Sequence, residues 1–359
     1  VKLINEYKKA NAALEPFAAA DILMPAGKRT LSQWVKFANS LRLRLAIRVS
    51  MSAPDLARAE VAKAMDATAG GVLESADETV AVSTESGYKN PLGTVNEGWG
   101  EVFMGATMES VLVGYNDPRL IKYYSKAEGG DIKDEKGNLI IAERNKIAGT
   151  YKGVPQGTGV TVKDENRYRL HSKSTITKQT DAILMTAAEV WFLRAEAALR
   201  GFTSENVKDC YEKGITVSCQ QWGVNVGDYL TSDATPSDYV DAFEAKYDVK
   251  ALIKVTPKWD GGASPEEQLE RILTQKWIAC YPEGYEAWTE QRRTGYPQLF
   301  KVFVNNSGGA IDTNIRIRRL PYPSDIQKNN PTQYSALKKA LGGEDNGGTR
   351  LWWDTGRNF

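Results

Sequence analysis

The sequence predicts a mostly α-helical protein, in which tetratricopeptide-like helix pairs form a scaffold that carries long irregular loop insertions. In several separated segments, apolar residues recur at steps of three and four, which is the period of an amphipathic helix. The stretches between these segments lack that period and are rich in Gly, Ser, Thr and Asn. With 359 residues the chain can bury a large core, and we expect a single domain over residues 1–359.

The helices predicted in the first part of the chain are 1–15, 31–49, 54–68 and 99–113. Pro54 lies in the first turn of the third of these, a position that proline favours. Gly98, Gly100 and Gly105 weaken the fourth, because each costs up to about 1 kcal/mol relative to alanine inside a helix. Residues 71–96 have little helical period, and we expect an exposed loop there.

The clearest helix pair is an αα-hairpin over residues 184–222, with a turn at Gly201. Its first helix carries small residues around Trp191, which let a neighbouring helix approach closely. Another helix is predicted over 236–247. Residues 125–180 have weak periodicity over a long stretch, which is typical of a functional or mobile segment.

A further helix is predicted to start at Ser264, in the string SPEEQLERILTQKWIAC. Ser264, Pro265 and Glu267 form a capping box with proline at the first helical position. The apolar stripe that follows runs to Cys280, before a Pro-Glu-Gly break. A second short helix then leads to Arg293, so a packed helical corner is expected here.

Composition excludes several classes of function. The formal net charge is +1 and the pI is about 7.7, so no basic surface argues for nucleic-acid binding. No apolar run reaches the roughly 18 residues that span a bilayer. The only histidine, His171, excludes chemistry that needs two, and Cys210, Cys219 and Cys280 match no metal or redox spacing. We expect three buried thiols, no metal and no cofactor.

An acidic stretch superficially suggests a calcium loop. It contains Asp131, Asp134 and Glu135, but Lys133 and Lys136 occupy positions where such a loop needs oxygen ligands and glycine. A metal site is therefore not predicted here.

Catalytic motifs are missing from the sequence, and we expect that the protein is not an enzyme. A glycoside hydrolase stays open as an alternative, because its paired carboxylates are brought together in space and leave no local signature. The candidate carboxylates for such a pair are Glu97, Glu101, Glu283 and Glu286.

Aromatic residues in two predicted loops, 83–99 and 145–170, suggest a binding surface. Flat rings beside amides suit a sugar, whose apolar face lies on a ring while its hydroxyl groups form hydrogen bonds. Each ring could instead fill a gap in the surface. The candidate ligand-binding residues are Tyr88, Asn90, Trp99, Tyr151 and Tyr168.

Five separated strings resemble the SusD/RagB-like family of surface glycan-binding lipoproteins. The longest are WVKFANSLRLRLAIRVS at 34–50, AEVWFLRAEAALRGF within 187–219, and QKWIACYPEGYEAWTEQRRTGYPQL at 275–299. The string DPRL at 117–120 and the C-terminal tail extend the resemblance over most of the chain.

This resemblance implies a non-enzymatic lipoprotein on the outer face of the outer membrane. Such a protein captures glycans or oligosaccharides and passes them to a SusC-like TonB-dependent transporter. The sequence contains no export signal or lipid-bearing cysteine at its start, so we expect that the N-terminal part of the precursor, with its lipid anchor, is missing. A peptide-binding partner of a peptide importer is the alternative within the same family.

Overall fold

The computed structural model describes residues 15–159 and 166–359 and is mostly helical, as predicted. Its α-helices are α1 (Leu31–Arg48), α2 (Pro54–Met65), α3 (Pro91–Thr94), α4 (Ala106–Gly114), α5 (Leu120–Tyr123), α6 (Ala187–Leu199), α7 (Val207–Gln221), α8 (Pro265–Ala279), α9 (Gly284–Thr294), α10 (Ser324–Asn329) and α11 (Pro331–Leu341). The predicted helix over 1–15 lies outside the described residues, except for its last position.

Short strands within these ranges form two antiparallel pairs. Strand β1 (Val80–Val82) pairs with β4 (Ala182–Met185), and β2 (Ile132–Lys133) pairs with β3 (Leu139–Ile141). The second pair is the hairpin whose turn contains the sequence Lys-Gly-Asn. No described helix combines the length and the apolar character that crossing a bilayer requires.

The α6–α7 hairpin is the centre of the scaffold, and the sequence predicted it correctly. Helices α1 and α8 both pack against α6, so four helices share one main apolar core. Gly214 of α7 faces α6 so closely that a Cβ there would lie 2.8 Å from the ring of Phe192. The hairpin therefore depends on a small residue at this crossing.

The helical corner of α8 and α9 also forms as predicted. Ser264 caps α8 by accepting from the Glu267 N–H at 3.3 Å, and the Glu267 carboxylate accepts from the Ser264 N–H at 3.0 Å. All three cysteines are buried and unpaired, as expected. The capping box thus fixes where α8 begins, and α9 follows after a short break.

The helix predicted over 99–113 is wrong in its first half, since α4 begins only at Ala106. Residues before it run in an extended conformation, where Phe103 bridges Lys173 and Gly105 bridges Val154. The Met104 N–H donates to the Ser172 carbonyl at 2.9 Å. Backbone pairing with segments distant in sequence replaces the helical hydrogen bonds that the apolar spacing suggested.

The helix predicted over 236–247 does not form, apart from a 3₁₀ turn at Ala245–Tyr247. The Ser237 N–H donates to the Ser110 carbonyl at 2.9 Å, and the two Tyr239–Val249 backbone bonds hold an isolated bridge. A Cβ at Gly114 would lie 2.2 Å from the Ser237 nitrogen. Contact with the end of α4 therefore fixes this segment in an extended form.

The expected exposed loop over 71–96 is instead an ordered segment. It contains β1 and α3, and a 3₁₀ turn at Ala76–Glu78. Asn96 donates to the carbonyls of Ser174 and Ile176 at 2.7 and 2.8 Å. Polar side chains that suggested a solvent-exposed loop are used to fasten the segment to residues 174–181.

Candidate functional site

The candidate site is a cleft of about 660 Å³ beside the helical corner, a volume within the range of ligand sites. Its lining comes from α8 and α9, from residues 299–317 and from the start of α4. Two tryptophans line it, Trp277 of α8 and Trp288 of α9. The cleft therefore combines two rigid helices with an irregular segment.

The position of Trp288 is fixed by its neighbours. Its indole N–H donates to the Ile317 carbonyl at 3.1 Å, and the Arg292 guanidinium stacks 3.6 Å from the ring centroid. Because both contacts are made within the chain, the ring is held ready to pack against a ligand without first being ordered.

Polar groups lie among these rings, as orientation of a ligand requires. Gln291 is only 8% exposed, and its side chain makes no hydrogen bond within the described part of the chain. Arg316 donates to the Gln156 side-chain oxygen at 2.8 Å, and Asn306 and Asp312 also line the cleft. A ligand that entered here would meet amide, guanidinium and carboxylate groups together with flat apolar surface.

A buried ionic network holds α9 in place behind the cleft. Lys276 of α8 lies 3.1 Å from both Glu286 and Glu290 of α9, and Arg293 lies 2.7 Å from Glu196 of α6. Burial opposes ionisation of these glutamates, but the facing cations hold the pKa of Glu286 and Glu290 below the ordinary value. Both acids therefore stay charged and position the helix that carries Trp288.

Two of the five predicted binding residues are buried in other parts of the fold. Asn90 is 4% exposed and caps α3, since its side chain accepts from the Leu92 N–H at 2.9 Å and donates to the Thr180 carbonyl at 3.0 Å. Tyr168 is 2% exposed and packs edge-on against His171 in a separate small core. Neither side chain offers a free surface to a ligand.

The other three predicted residues are at least partly exposed, but they do not line the cleft. Trp99 is 63% exposed at the end of the turn Val95–Trp99, and Tyr88 is half-buried. Tyr151 lines a different cavity, beside Asn116 and Val226. The structure therefore does not gather the five residues into one site, although Gln156 brings segment 145–170 to the cleft.

The carboxylates named for a glycosidase have structural partners. Glu97 accepts from the Lys178 N–H at 2.8 Å, and Glu283 caps α9 by accepting from the Glu286 N–H at 2.8 Å. Glu286 is held by Lys276, Arg44 and Arg48.

No group of three or more potential metal ligands occurs in the described ranges.

The cleft residues were missed because their sequence pattern fits another role. Trp277 lies on the apolar stripe of α8, and Trp288 follows the helix break, so the sequence pattern of both predicts packing in the helical corner. The available signal was the segment 301–313, KVFVNNSGGAIDT, whose Gly and Asn content directly follows the helical corner. In the structure this segment contributes to the cleft lining together with α9.

The helix-pair scaffold is of the tetratricopeptide-like class, and the cleft lies at its helical corner. The family model described as SusD-like, "Susd and RagB outer membrane lipoprotein", matches residues 2–354. This chain therefore belongs to the SusD-like family.

Solved structures of relatives agree with this assignment. A SusD homologue from Bacteroides vulgatus is 49% identical, with a TM-score of 0.89, and the match covers 99% of this chain and 69% of that one. A chitin-binding SusD homologue from Flavobacterium johnsoniae is 35% identical, with a TM-score of 0.86 and coverage of 99% and 70%. A homologue from Bacteroides uniformis is 33% identical, with a TM-score of 0.84 and coverage of 99% and 71%. No curated protein matches the sequence.

Proposed function

We propose that this protein captures glycans or oligosaccharides in the cleft between α9 and residues 299–317, without catalysing their cleavage. The observation that carries the proposal is the pair Trp277 and Trp288, set among amide and charged side chains in a cavity of saccharide size. Apolar sugar faces pack on such rings, while hydroxyl groups take hydrogen bonds from the polar groups between them.

Membership of the family and the chitin-binding relative support this ligand class. The family's description as an outer-membrane lipoprotein supports placement at the outer membrane. We extend the proposal to the cell surface, to a lipid anchor on the full precursor, and to a SusC-like TonB-dependent transporter that receives the glycan. Copurification of that transporter with the lipidated precursor from outer membranes tests this extension.

A calorimetric titration with chitin-derived oligosaccharides tests the cleft, after a glycan array on the purified chain has ranked other saccharides. Trp288→Ala is expected to weaken binding by about 1–2 kcal/mol, because a ring contact is lost. Gln291→Ala should weaken binding less, and without a loss of folding, since the side chain has no partner within the described ranges.

The matched controls are Trp99→Ala and Tyr151→Ala, which remove aromatic rings outside the cleft. Both should bind normally. If they lose binding while the two cleft variants retain it, the site lies elsewhere and the proposal fails. Incubation with the same oligosaccharides should release no reducing ends above a buffer control, and turnover would favour the glycoside hydrolase.

A further inference from the structure

A second cavity of about 380 Å³ adjoins the cleft and is strongly basic. Its described lining contains six cationic side chains and no carboxylate. These cations are Arg292, Arg293, Lys301, Arg316, Arg318 and Arg350. We call this cavity the basic pocket. A formal net charge of only +1 for the whole chain makes such a concentration unusual and in need of a reason.

Three of the six cations are compensated by carboxylates just behind the wall. Arg293 pairs with Glu196 and Glu290 at 2.7 Å each. Arg318 lies 2.6 Å from Asp354, which Arg350 also contacts. These three side chains have structural partners and do not by themselves require a ligand.

The other three cations form no ion pair with a carboxylate of the described residues. Arg292 donates to the Arg318 carbonyl at 2.6 Å and to Thr289, while its buried Nε has no partner. Arg316 donates to Gln156 and to the Phe300 carbonyl. The Lys301 ammonium lies 5.1 Å from the Phe303 ring centroid and is otherwise exposed.

The electrostatics of the pocket agree with an excess of positive charge. Burial and the neighbouring Arg318 lower the pKa of Arg292 to about 10, and burial lowers the pKa of Arg316. A guanidinium pKa falls only when the charged form is disfavoured. An anion in the pocket would relieve that cost.

The basic pocket and the cleft share a wall made of Gln291, Leu299, Thr313 and Arg316. The Gln291 side-chain amide has no hydrogen-bond partner among the described residues although the residue is only 8% exposed, and Gln291 lines both cavities. Asp312 lies on the cleft side and accepts from the Asn314 N–H at 2.7 Å, without an ion pair to Arg316. The two cavities are therefore direct neighbours at these four residues.

We propose that the saccharide bound in the cleft carries an acidic substituent, a carboxylate or a sulfate ester, which Arg316 and Lys301 hold in the basic pocket. This inference rests on the proposed function. The planar guanidinium of Arg316 can donate two parallel hydrogen bonds to either group, and Lys301 adds a charge at the mouth. Arg292 contributes positive potential from behind.

The test compares oligosaccharides in pairs that share one backbone and differ in charge. Isothermal titration calorimetry compares a hyaluronan oligosaccharide with its carboxyl-reduced neutral form for the carboxylate, and a carboxyl-reduced chondroitin 4-sulfate oligosaccharide with its desulfated neutral form for the sulfate. The acidic forms should bind about tenfold more tightly than the neutral form, which corresponds to one charge-assisted contact. Raising the salt concentration should reduce that preference.

The variants are Arg316→Gln and Lys301→Gln, with Lys328→Gln as the matched control. Lys328 is an exposed lysine on α10, outside both cavities. Lys301 lines the basic pocket but not the cleft, so Lys301→Gln should weaken the preference for acidic forms and bind the neutral form as the wild type does. Arg316 lines both cavities, so the readout for Arg316→Gln is the ratio of the two affinities, which should fall towards one. The control should keep the ratio of the wild type. Equal binding of charged and neutral forms by the wild type would overturn the inference but leave the proposed function standing. If Lys328→Gln lost the preference for acidic forms as much as the pocket variants do, the inference would also be overturned.

Bare anions test the pocket independently of any saccharide. Sodium sulfate and sodium acetate should raise the melting temperature of the wild type above that in sodium chloride of equal ionic strength, and should raise that of Arg316→Gln less. If no saccharide binds but sulfate acts only on the wild type, the proposed function fails and the anion site stands. If the melting temperature of the wild type is the same in sulfate, acetate and chloride, and no acidic oligosaccharide is preferred, the proposal of an anion site is contradicted.

Discussion

Arg292 and Arg293 are neighbours in sequence on α9, yet their guanidinium groups meet opposite surroundings. Arg293 is 2% exposed and lies between two glutamates, Glu196 and Glu290. Arg292 lies between the rings of Trp288 and Trp353 and bonds to a carbonyl and a hydroxyl. Arg293 forms ion pairs with two carboxylates, whereas Arg292 forms none within the described ranges.

This difference separates structural charge from charge that is available to a ligand. Buried ion pairs with full partners position helices, as Lys276, Glu286 and Arg293 do for α9. Cations without a carboxylate cost free energy where they are buried. We infer that the unpaired cations beside the cleft serve binding, while the ionic network serves the fold.

Removal of the ion-paired Arg293 should have the largest effect on the free energy of unfolding. Arg293→Met leaves Glu196 and Glu290 buried, and should lower the free energy of unfolding by about 3–5 kcal/mol, because one partner of a buried network is removed. Urea unfolding followed by circular dichroism measures it. Arg357→Met, at an exposed arginine near the C-terminus, is the control and should change little. If Arg293→Met had only a small effect on the free energy of unfolding, the distinction between the ion-paired Arg293 and the unpaired cations would not hold.

The buried imidazole of His171 should give an effect on stability of intermediate size. His171 is 2% exposed, both ring nitrogens lack hydrogen bonds within the described ranges, and burial together with nearby Lys152 lowers its pKa to about 3. The unfolded chain takes up a proton below an ordinary pKa of 6.5 while the folded chain does not. The free energy of unfolding therefore decreases as the pH falls from 6.5 towards 3, by about 1.4 kcal/mol per pH unit.

His171→Phe removes this titration and keeps a ring against Tyr168 and Phe243. The melting temperature of the variant relative to that of the wild type should rise as the pH is lowered from 7 to 5. A difference that stays constant over this range would mean that the imidazole is charged or bonded in the folded state.

The smallest expected effect concerns the uncompensated cations. Lys301→Gln should change the free energy of unfolding by less than about 0.5 kcal/mol, since no carboxylate of the described residues depends on it. Thermal melts at low salt measure the change. A loss comparable to that of Arg293→Met would make Lys301 part of the structural network instead.

Local signals in the sequence were sufficient for the helical scaffold. The capping box at Ser264 and the small residues around Trp191 act within one helix or one hairpin, so α8 and the α6–α7 pair could be predicted. The segments 99–105 and 236–247 could not, because their backbones bond to residues far away in sequence. Apolar spacing carries no information about such pairing.

The cleft could not be predicted from local sequence patterns either, because it is formed by residues that are distant in sequence. Its walls bring Gln156 and Thr107 beside Trp288, across more than a hundred positions. Aromatic residues in loops were a reasonable criterion for exposure, but Tyr168 fills a core and Asn90 caps a helix. What decides the role of each side chain is which groups surround it after folding.

The most direct measurement of this account is NMR of the arginine side-chain Nε–H groups during titration with the hyaluronan oligosaccharide. The signal of Arg316, assigned with Arg316→Gln, should shift on binding, while that of Arg293 should stay constant because its carboxylate partners do not change. The carboxyl-reduced oligosaccharide should shift the Arg316 signal less than the acidic form does, since it lacks the carboxylate that Arg316 would hold. An unchanged Arg316 signal at saturation with the acidic form, or equal shifts of Arg293 and Arg316, would contradict the separation of structural from ligand-binding charge.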